Sequence, residues 1–451
     1  MRVLILGGGT VGSSVAKRLC ERGSEVAVVE KNPDVAAALD ERIDASVIPG
    51  DAAKANVLFQ AGAPAADVCF ALTGSDETNL LGGCVAKAMG SRRVAARVYA
   101  PEFRDVGSFD YRRQFNIDRL LSIEYLTAME IARRVREPGA MLIEHFACGE
   151  LEMQDVVITK ETAATGKPLS ELKLPPEARV GAINRDGVVT IASASDHIEV
   201  GDRVTLLGSR PQVESAKKTF QTQSINKRDV AIIGGGETGL YVASVLERRN
   251  YNATIFERDR VRCEFLASRL KKTTVVCGDG RRRDVLDERR VGEGDVFIAC
   301  AGDDEYNIMA CVEAMELGAS YLLAVVRHQD YASVVGKLGI NEVVSPFEVV
   351  ERQVEGLMHK GALVFQNSTL LGGPIEVVEL ELEENSPMLD APLKDLGVPR
   401  PTLIAAVIRD NNVLIPNANF EFRPYDTVVA IAMPENIEAL VNLCENKNKK
   451  N

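Results

Sequence analysis

Val3-Leu4-Ile5-Leu6-Gly7-Gly8-Gly9-Thr10-Val11-Gly12, near the start, and Val230-Ala231-Ile232-Ile233-Gly234-Gly235-Gly236-Glu237-Thr238-Gly239, past the middle, are two versions of one stretch. Each begins as a short apolar run, the mark of a strand buried on both faces, and ends in a tight turn. In the first version Gly7 allows the turn, Gly9 lets a pyrophosphate approach the backbone, and Gly12 lets the following helix lie close on the strand. That helix offers unpaired N–H groups and a positive dipole end to a phosphate. A second strand, Val26 to Val29, ends at Glu30, 18 residues after Gly12, near the spacing of about 20 expected of a ribose-binding carboxylate. In the second version Ala253 to Phe256 leads to Glu257. Gly234 follows Gly7 by 227 positions and Glu257 follows Glu30 by the same 227, so the chain is an internal duplication.

The rest of each half fits a parallel sheet with helices on both faces. A helix follows Pro33, a short strand covers 45–48 and ends at Gly50-Asp51, and a buried strand covers 67–72, closed by Thr73-Gly74-Ser75-Asp76-Glu77-Thr78-Asn79. Ser75 is placed to cap the next helix, with acids in its first turn. Strands follow at 93–98 and 118–121, and a longer crossover helix at 122–137 ends at Pro138-Gly139. Alternating strands and helices call for right-handed crossovers and put the loops at 7–12, 30–31, 50–51 and 73–75 at the carboxyl edge, where such sheets bind ligands. Beyond 139 the texture is that of a small α+β domain. Strands are expected at 151–153 and 156–159, a hairpin at 179–191 turning on Arg185-Asp186-Gly187, a strand at 203–207, a helix from about 212, and a polar linker at 221–227.

The second half repeats the plan. Gly278-Asp279 answers Gly50-Asp51, Ala301 to Asn307 answers Thr73 to Asn79, and 345–360 answers the crossover helix. The small domain recurs at 376–382, 403–408, 413–415 and 427–431, with Asp410-Asn411-Asn412 as its turn. The expected fold is thus α/β: two Rossmann-like parallel-sheet nucleotide domains (1–138 and 228–360), each followed by a small α+β domain (139–227 and 361–445). A polar tail, 446–451, is expected to be disordered.

The 451 residues carry a formal charge of −12, which argues against nucleic acid or an anionic membrane surface as general partners. No apolar run approaches the length of a membrane span. Nine cysteines with no C-x-x-C pair, several inside apolar segments (Cys69, Cys277, Cys300), are expected to be reduced core thiols. The four histidines, at 145, 197, 328 and 359, are too scattered for a metal site. The Walker pattern is absent, and no nucleophile–base pair stands out, so an oxidoreductase built on His145 is the lesser reading. The basic runs Arg133-Arg134-Val135-Arg136 and Arg281-Arg282-Arg283 are expected to be solvated faces, with a polyphosphate or partner contact as the alternative for the first and phosphate binding for the second.

Nucleotide fold, crossover helix and small domain, all done twice, resemble the TrkA family of potassium-uptake regulators, whose units are called RCK or KTN domains. The resemblance is carried by Gly7 to Gly12, Gly50-Asp51, Leu72 to Asn79, Arg97, Gly201-Asp202 and Gly234 to Gly239. It implies no enzyme but a cytosolic regulator docked on a TrkH-like membrane subunit, forming a dimeric or tetrameric ring and binding NAD(H), ATP or ADP. By the same resemblance Gly9, Thr10 and Val11 would meet phosphate, Glu30 the ribose, Asp51 the adenine side, and Thr73, beside Gly74, with Arg97 the far phosphate end. Gly236, Glu237, Thr238, Glu257, Asp279 and Arg327 would do the same in the second half. The carboxylates Glu30 and Glu257 disfavour a 2′-phosphate but do not separate NAD from ATP or ADP. Pro138 and the segment after Lys360 would be hinges. The halves also differ. Ala301 replaces Thr73, Arg281-Arg282-Arg283 follows Asp279, and Tyr425-Asp426 replaces Gly201-Asp202, which leaves open whether both halves bind alike.

Overall fold

The computed structural model describes residues 1–104, 109–135, 144–146, 151–220, 228–247, 251–328, 331, 335–358, 364–369, 375–409 and 412–445. The expected hinges at Pro138 and directly after Lys360, Arg136, the 221–227 linker, the Asp410-Asn411 turn, His359 and the 446–451 tail lie outside them, as does the side chain of His145.

The first half begins β1 (Arg2–Leu6), α1 (Thr10–Glu21), β2 (Glu25–Glu30), α2 (Pro33–Asp40), β3 (Ser46–Pro49), α3 (Ala55–Gln60) and β4 (Val68–Ala71). It continues α4 (Asp76–Met89), β5 (Arg93–Arg97), α5 (Tyr111–Gln114), β6 (Arg119–Leu121) and α6 (Ile123–Arg134). The strands form one parallel sheet in the order β3-β2-β1-β4-β5-β6, which reverses between β1 and β4 and opens a crevice there. Leu4, Leu6, Cys69, Ala71 and Val94 fill its core, each large aliphatic side chain contributing about 1.5–3 kcal/mol by leaving water. The turn out of β1 needs Gly7, whose φ is +102°. A Cβ on Gly12 would stand 1.9 Å from the Gly7 carbonyl oxygen, so only glycine lets α1 lie this close. Asn32 caps α2 and Ser75 caps α4 through the N–H of Thr78.

The second half repeats these elements as β12 (Arg228–Ile233), α8 (Glu237–Glu247), β13 (Tyr251–Glu257), α9 (Arg260–Arg269), β14 (Thr274–Cys277), α10 (Arg283–Glu288) and β15 (Val296–Ala299). Then come α11 (Asp304–Glu316), β16 (Leu322–Val325), β17 (Glu342–Val344) and α12 (Pro346–Met358). Its sheet runs β14-β13-β12-β15-β16-β17, again all parallel. The two nucleotide lobes, Met1–Arg134 and Asn226–Val354, form one compact unit. Helix α6 lies on α8, with Tyr125 and Tyr241 edge to face at 5.5 Å and the Arg104 guanidinium 3.9 Å above Tyr125. Arg134 pairs with Glu342 at 2.7 Å, and Glu130 receives Arg133, Arg134 and Arg352.

The small lobes make a second unit. The first contains β7 (Glu144–Phe146), β8 (Leu151–Val157), β9 (Ala178–Arg185), β10 (Val188–Ile191), β11 (Arg203–Gly208) and α7 (Arg210–Phe220), with antiparallel strand order β10-β9-β11-β8-β7. The second contains β18 (Val364–Thr369), β19 (Glu376–Glu381), β20 (Thr402–Arg409), β21 (Asn412–Leu414), β22 (Thr427–Ala432) and α13 (Pro434–Cys444), in the equivalent order. Leu151, Met153 and Leu207 share one core with Val377, Ala405 and Ile431. Two strands are expected from the sequence at 151–159, but β8 is continuous. The polar Gln154-Asp155 pair does not interrupt it, because Thr205 on β11 donates its hydroxyl to the Asp155 carboxylate. The hairpin turns as expected at Asp186 and Gly187, with φ of 53° and 85°. Strands β7 and β18 have no counterpart in the sequence reading.

Candidate nucleotide-binding site

The loops after β1, β2, β3 and β4 meet around a cavity of about 340 Å³. Of the residues expected at the site, Gly7, Gly9, Glu30, Asp51, Thr73 and Gly74 line it. Thr10 and Val11 begin α1 beside it and Gly12 packs beneath the turn, none of the three on the lining. Lys31, Ser75 and Thr78 also line it. The sequence places Lys31 and Ser75 in loops at the ligand-binding edge and Thr78 in the segment 73–79 without assigning any of them to a ligand.

Glu30 braces the glycine loop while facing the cavity. Its Oε2 accepts the Gly8 N–H at 2.6 Å and its Oε1 the Asn32 N–H at 2.7 Å. Each oxygen keeps a lone pair for a ribose hydroxyl. Around Gly9 a Cβ would meet open space, the approach a phosphate needs. The Ala53 N–H on its carboxylate, with Lys31 3.5 Å away, holds Asp51 below the ordinary carboxylate range. Thr73 is positioned by Asn79, whose Oδ1 accepts both the N–H and the hydroxyl of Thr73 at 2.7 Å. Asn79 Nδ2 in turn donates to the carbonyls of Thr73 and Arg97, tying the ends of β4 and β5 together. Asn307 does the same for Ala301 and Val325. An asparagine at matching positions in both halves was the available signal for this brace.

That brace sets the register between the halves. Asn79 reaches Arg97 where Asn307 reaches Val325. Asp76 accepts the N–H groups of Tyr99 and Ala100 where Asp304 accepts those of Arg327 and His328. Arg327 is therefore the counterpart of Tyr99 and not of Arg97. The Arg97 guanidinium turns to Glu124 of α6 at 3.1 Å and is not on the cavity lining. Arg327 stays at its own strand end, 3.5 Å from Asp304 and from the Ala301 carbonyl.

The second glycine loop has the same backbone. Gly234 has φ +104°, Gly239 packs under the turn as Gly12 does, and a Cβ on Gly236 would meet open space. Glu257 accepts the N–H groups of Gly235 and Asp259 at 2.8 and 2.9 Å. Its surroundings differ in charge. Glu237 opens α8 and pairs with Arg262 at 2.9 Å, Thr238 following in the same turn, while Asp279 pairs with Arg281 at 2.8 Å. Arg282 pairs with Asp284 and Arg283 with Glu313, so each arginine of this run is engaged by a carboxylate. Arg133 and Arg134 are likewise held by Glu130. Cys277, expected in the core, is exposed at the end of the edge strand β14, whereas Cys69 and Cys300 are buried; the described cysteines are free thiols. Among the described residues no cluster of His, Cys, Asp and Glu could hold a metal ion, and no helix is long and apolar enough to cross a membrane.

Fold and site define a duplicated module, two Rossmann-like parallel sheets each followed in sequence by a small antiparallel sheet. The chain belongs to the TrkA family. The TrkA-N domain matches residues 3–111 and 230–346, and the TrkA-C domain matches 153–221 and 377–445. The chain is 32% identical to the Trk system potassium uptake protein TrkA of Azorhizobium caulinodans over 98% of both chains. Its fold is similar to the GsuK RCK domain, with a TM-score of 0.58 at 20% identity, covering 97% of this chain and 94% of that one. It is also similar to the GsuK channel bound to NAD, with a TM-score of 0.58 at 18% identity, covering 98% of this chain and 78% of that one. RCK domains in tandem are thus the architecture expected from the sequence.

Proposed function

We propose that this chain is a cytosolic regulatory subunit of a Trk-type potassium uptake system, which converts occupancy of the first glycine-loop cleft by NAD(H), ATP or ADP into control of a TrkH-like membrane protein. The observation that carries the reading is the cavity between Gly9, Glu30, Asp51 and Thr73, in a lobe that also packs its helix α6 on α8 of the second nucleotide lobe. The names of the A. caulinodans relative and of the NAD-bound GsuK channel support it. The ligand's phosphates lie against Gly9, Thr10 and Val11, its ribose on Glu30, and its adenine toward Asp51. Each half of the sequence acts as one RCK unit, split at 138, 227 and 360, and the chain works as a homo-oligomeric ring on the inner membrane face.

Binding without turnover fits the lining better than catalysis. Its titratable side chains are Glu30, Lys31 and Asp51, and both Glu30 oxygens already accept backbone N–H groups. A general acid or base needs a proton-transferring group free to face the substrate. A ligand shifts a conformational equilibrium only by its differential affinity for the two states. ATP and ADP, or NADH and NAD, differ in charge and can supply that difference. The test is potassium flux through the reconstituted membrane partner with each nucleotide, with and without Gly9→Val. Nucleotide-dependent flux that the variant loses is expected. Equal flux under every ligand, or steady NADH oxidation by the purified protein, overturns the reading.

A further inference from the structure

The two halves share one backbone at the glycine loop, so their side chains can be compared position by position. Gly236, like Gly9, has no atom within 4 Å of where a Cβ would stand, and the Glu257 brace copies that of Glu30. What differs is which side chains stand over the loop and the cleft beside it.

At the loop, Thr10 of the first half corresponds to Glu237 and Val35 to Arg262, by the offset that relates Gly7 to Gly234 and Glu30 to Glu257. Both changes introduce charge, and the charges meet. Arg262 Nη2 donates to Glu237 Oε1 at 2.9 Å, and Arg262 Nε donates to the Gly235 carbonyl at 2.6 Å. The same guanidinium lies 4.6 Å from the Phe265 ring. The Glu237 side chain is 12% exposed and sits in the first turn of α8, where the N-terminal N–H groups and helix dipole favour a negative charge. A carboxylate of the chain itself thus stands at the start of the helix, where the first half carries Thr10, and an arginine fixes it there.

At the cleft, Thr78 corresponds to Tyr306 and Ala53 to Arg281. The hydrogen bonds confirm both. Asn79 and Asn307, the next residues, brace equivalent strand ends, and the N–H groups of Ala53 and Arg281 both donate to the preceding aspartate at 3.0 Å. In the first half Thr78 and Asp51 both line the cavity. In the second, the Tyr306 hydroxyl donates to Asp279 Oδ1 at 3.0 Å, so the phenol reaches the aspartate. Arg281 closes over it, its guanidinium 4.6 Å from the ring centre and bonded to both oxygens of Asp279. Burial and this bond push the Tyr306 hydroxyl up to about 12, so it stays a neutral donor at physiological pH.

We propose that the second cleft is closed to adenine nucleotides by Glu237, Arg262, Tyr306 and Arg281, so that each chain takes one nucleotide, in its first half. This rests on the nucleotide-binding reading given above. An incoming pyrophosphate must displace the Glu237–Arg262 pair, and adenosine meets a ring held by its hydrogen bond to Asp279 and by the Arg281 guanidinium over its face. Opening the site requires breaking both arrangements together. The second lobe then serves as the fixed surface against which the first lobe's occupancy is read.

Titration calorimetry on the full chain with ADP and, separately, NADH tests this. One nucleotide per chain is expected for the wild type, and none for Gly9→Val. Two per chain in the wild type, or one remaining in Gly9→Val, overturns the inference and leaves the nucleotide reading standing. No binding by the wild type overturns the nucleotide reading itself. The combined variant Glu237→Thr, Arg262→Val, Tyr306→Thr and Arg281→Ala installs the four first-half residues and is expected to raise the count to two. A folded quadruple variant that still takes one nucleotide overturns the assignment to these side chains. If that variant does not fold, the wild-type and Gly9→Val counts decide the matter.

Discussion

The Glu30 carboxylate ties the end of β2 to the glycine loop by accepting the Gly8 N–H at 2.6 Å. One side chain therefore shapes the glycine turn and faces the cavity where a ribose would lie. Glu30→Ala removes a charged acceptor and loosens the loop. Affinity for NADH and ADP is expected to fall by about 1–3 kcal/mol, the scale of a hydrogen bond to a charged group. Calorimetry on the variant checks this, and unchanged affinity would mean that Glu30 only supports the turn.

Gly9 and Gly12 should respond in opposite ways. Gly9→Val places its side chain in open space, so the fold is kept at a cost of about 1 kcal/mol, the penalty of a poor cap, while nucleotide binding is lost. A Cβ at Gly12 collides with the Gly7 carbonyl, so Gly12→Ala is expected to destabilise the lobe by about 3 kcal/mol. Urea unfolding with parallel binding measurements separates the two. A Gly12→Ala protein as stable as wild type would refute the packing argument.

In the small lobes, Arg185 grips Asp202 through two hydrogen bonds at 2.9 and 2.8 Å, and Arg409 grips Asp426 in the same way. Asp202 and Asp426 are each 1% exposed. The residue before the aspartate differs, glycine in one lobe and tyrosine in the other, yet both adopt positive φ, of 102° and 66°. The aspartate is thus a staple between hairpin and loop. Arg409→Met leaves a buried carboxylate without its cation, and a loss of about 3 kcal/mol is expected. Thermal unfolding shows whether it occurs. A change under about 0.5 kcal/mol, the range of ordinary surface substitutions, would contradict it.

Acid should weaken the contact between the nucleotide lobes. Burial alone would raise Glu130, but hydrogen bonds and charge from Arg133, with Arg352 and Arg134 beside it, hold its carboxyl at about 2, down from 4.5. A carboxylate depressed in the folded state stabilises fully above its unfolded value and loses that contribution as pH falls towards the folded one. Wild type should exceed Glu130→Gln by about 2 kcal/mol at pH 7, and the difference should shrink between pH 4.5 and about 2. Unfolding free energies of both proteins across that range test it; a difference independent of pH would rule out the carboxylate as the cause.

Much of the molecule is written in local sequence. The apolar runs ending at Gly7 and Gly234, the constant spacing to Glu30 and Glu257, and the Ser75 cap are set by residues close together in the chain, so strands, turns, duplication and the cavity-lining loops were legible. The destinations of long side chains were not. Arg97 and Arg327 look equivalent by their place after a strand, but the asparagine brace shows a two-residue displacement, and Arg97 goes to Glu124 on a helix from later in the chain. The Glu237–Arg262 and Tyr306–Asp279 contacts join residues 25 and 27 positions apart and exist only once the strand ends converge. The gathering of lobes into two units, nucleotide with nucleotide and small with small, is set by core packing between halves such as that of Leu207 with Ile431. Local sequence determined the elements and the loop chemistry. Only the tertiary structure decided which charges meet across segments, as Arg97 meets Glu124 and Arg134 meets Glu342, because those contacts join parts far apart in the chain.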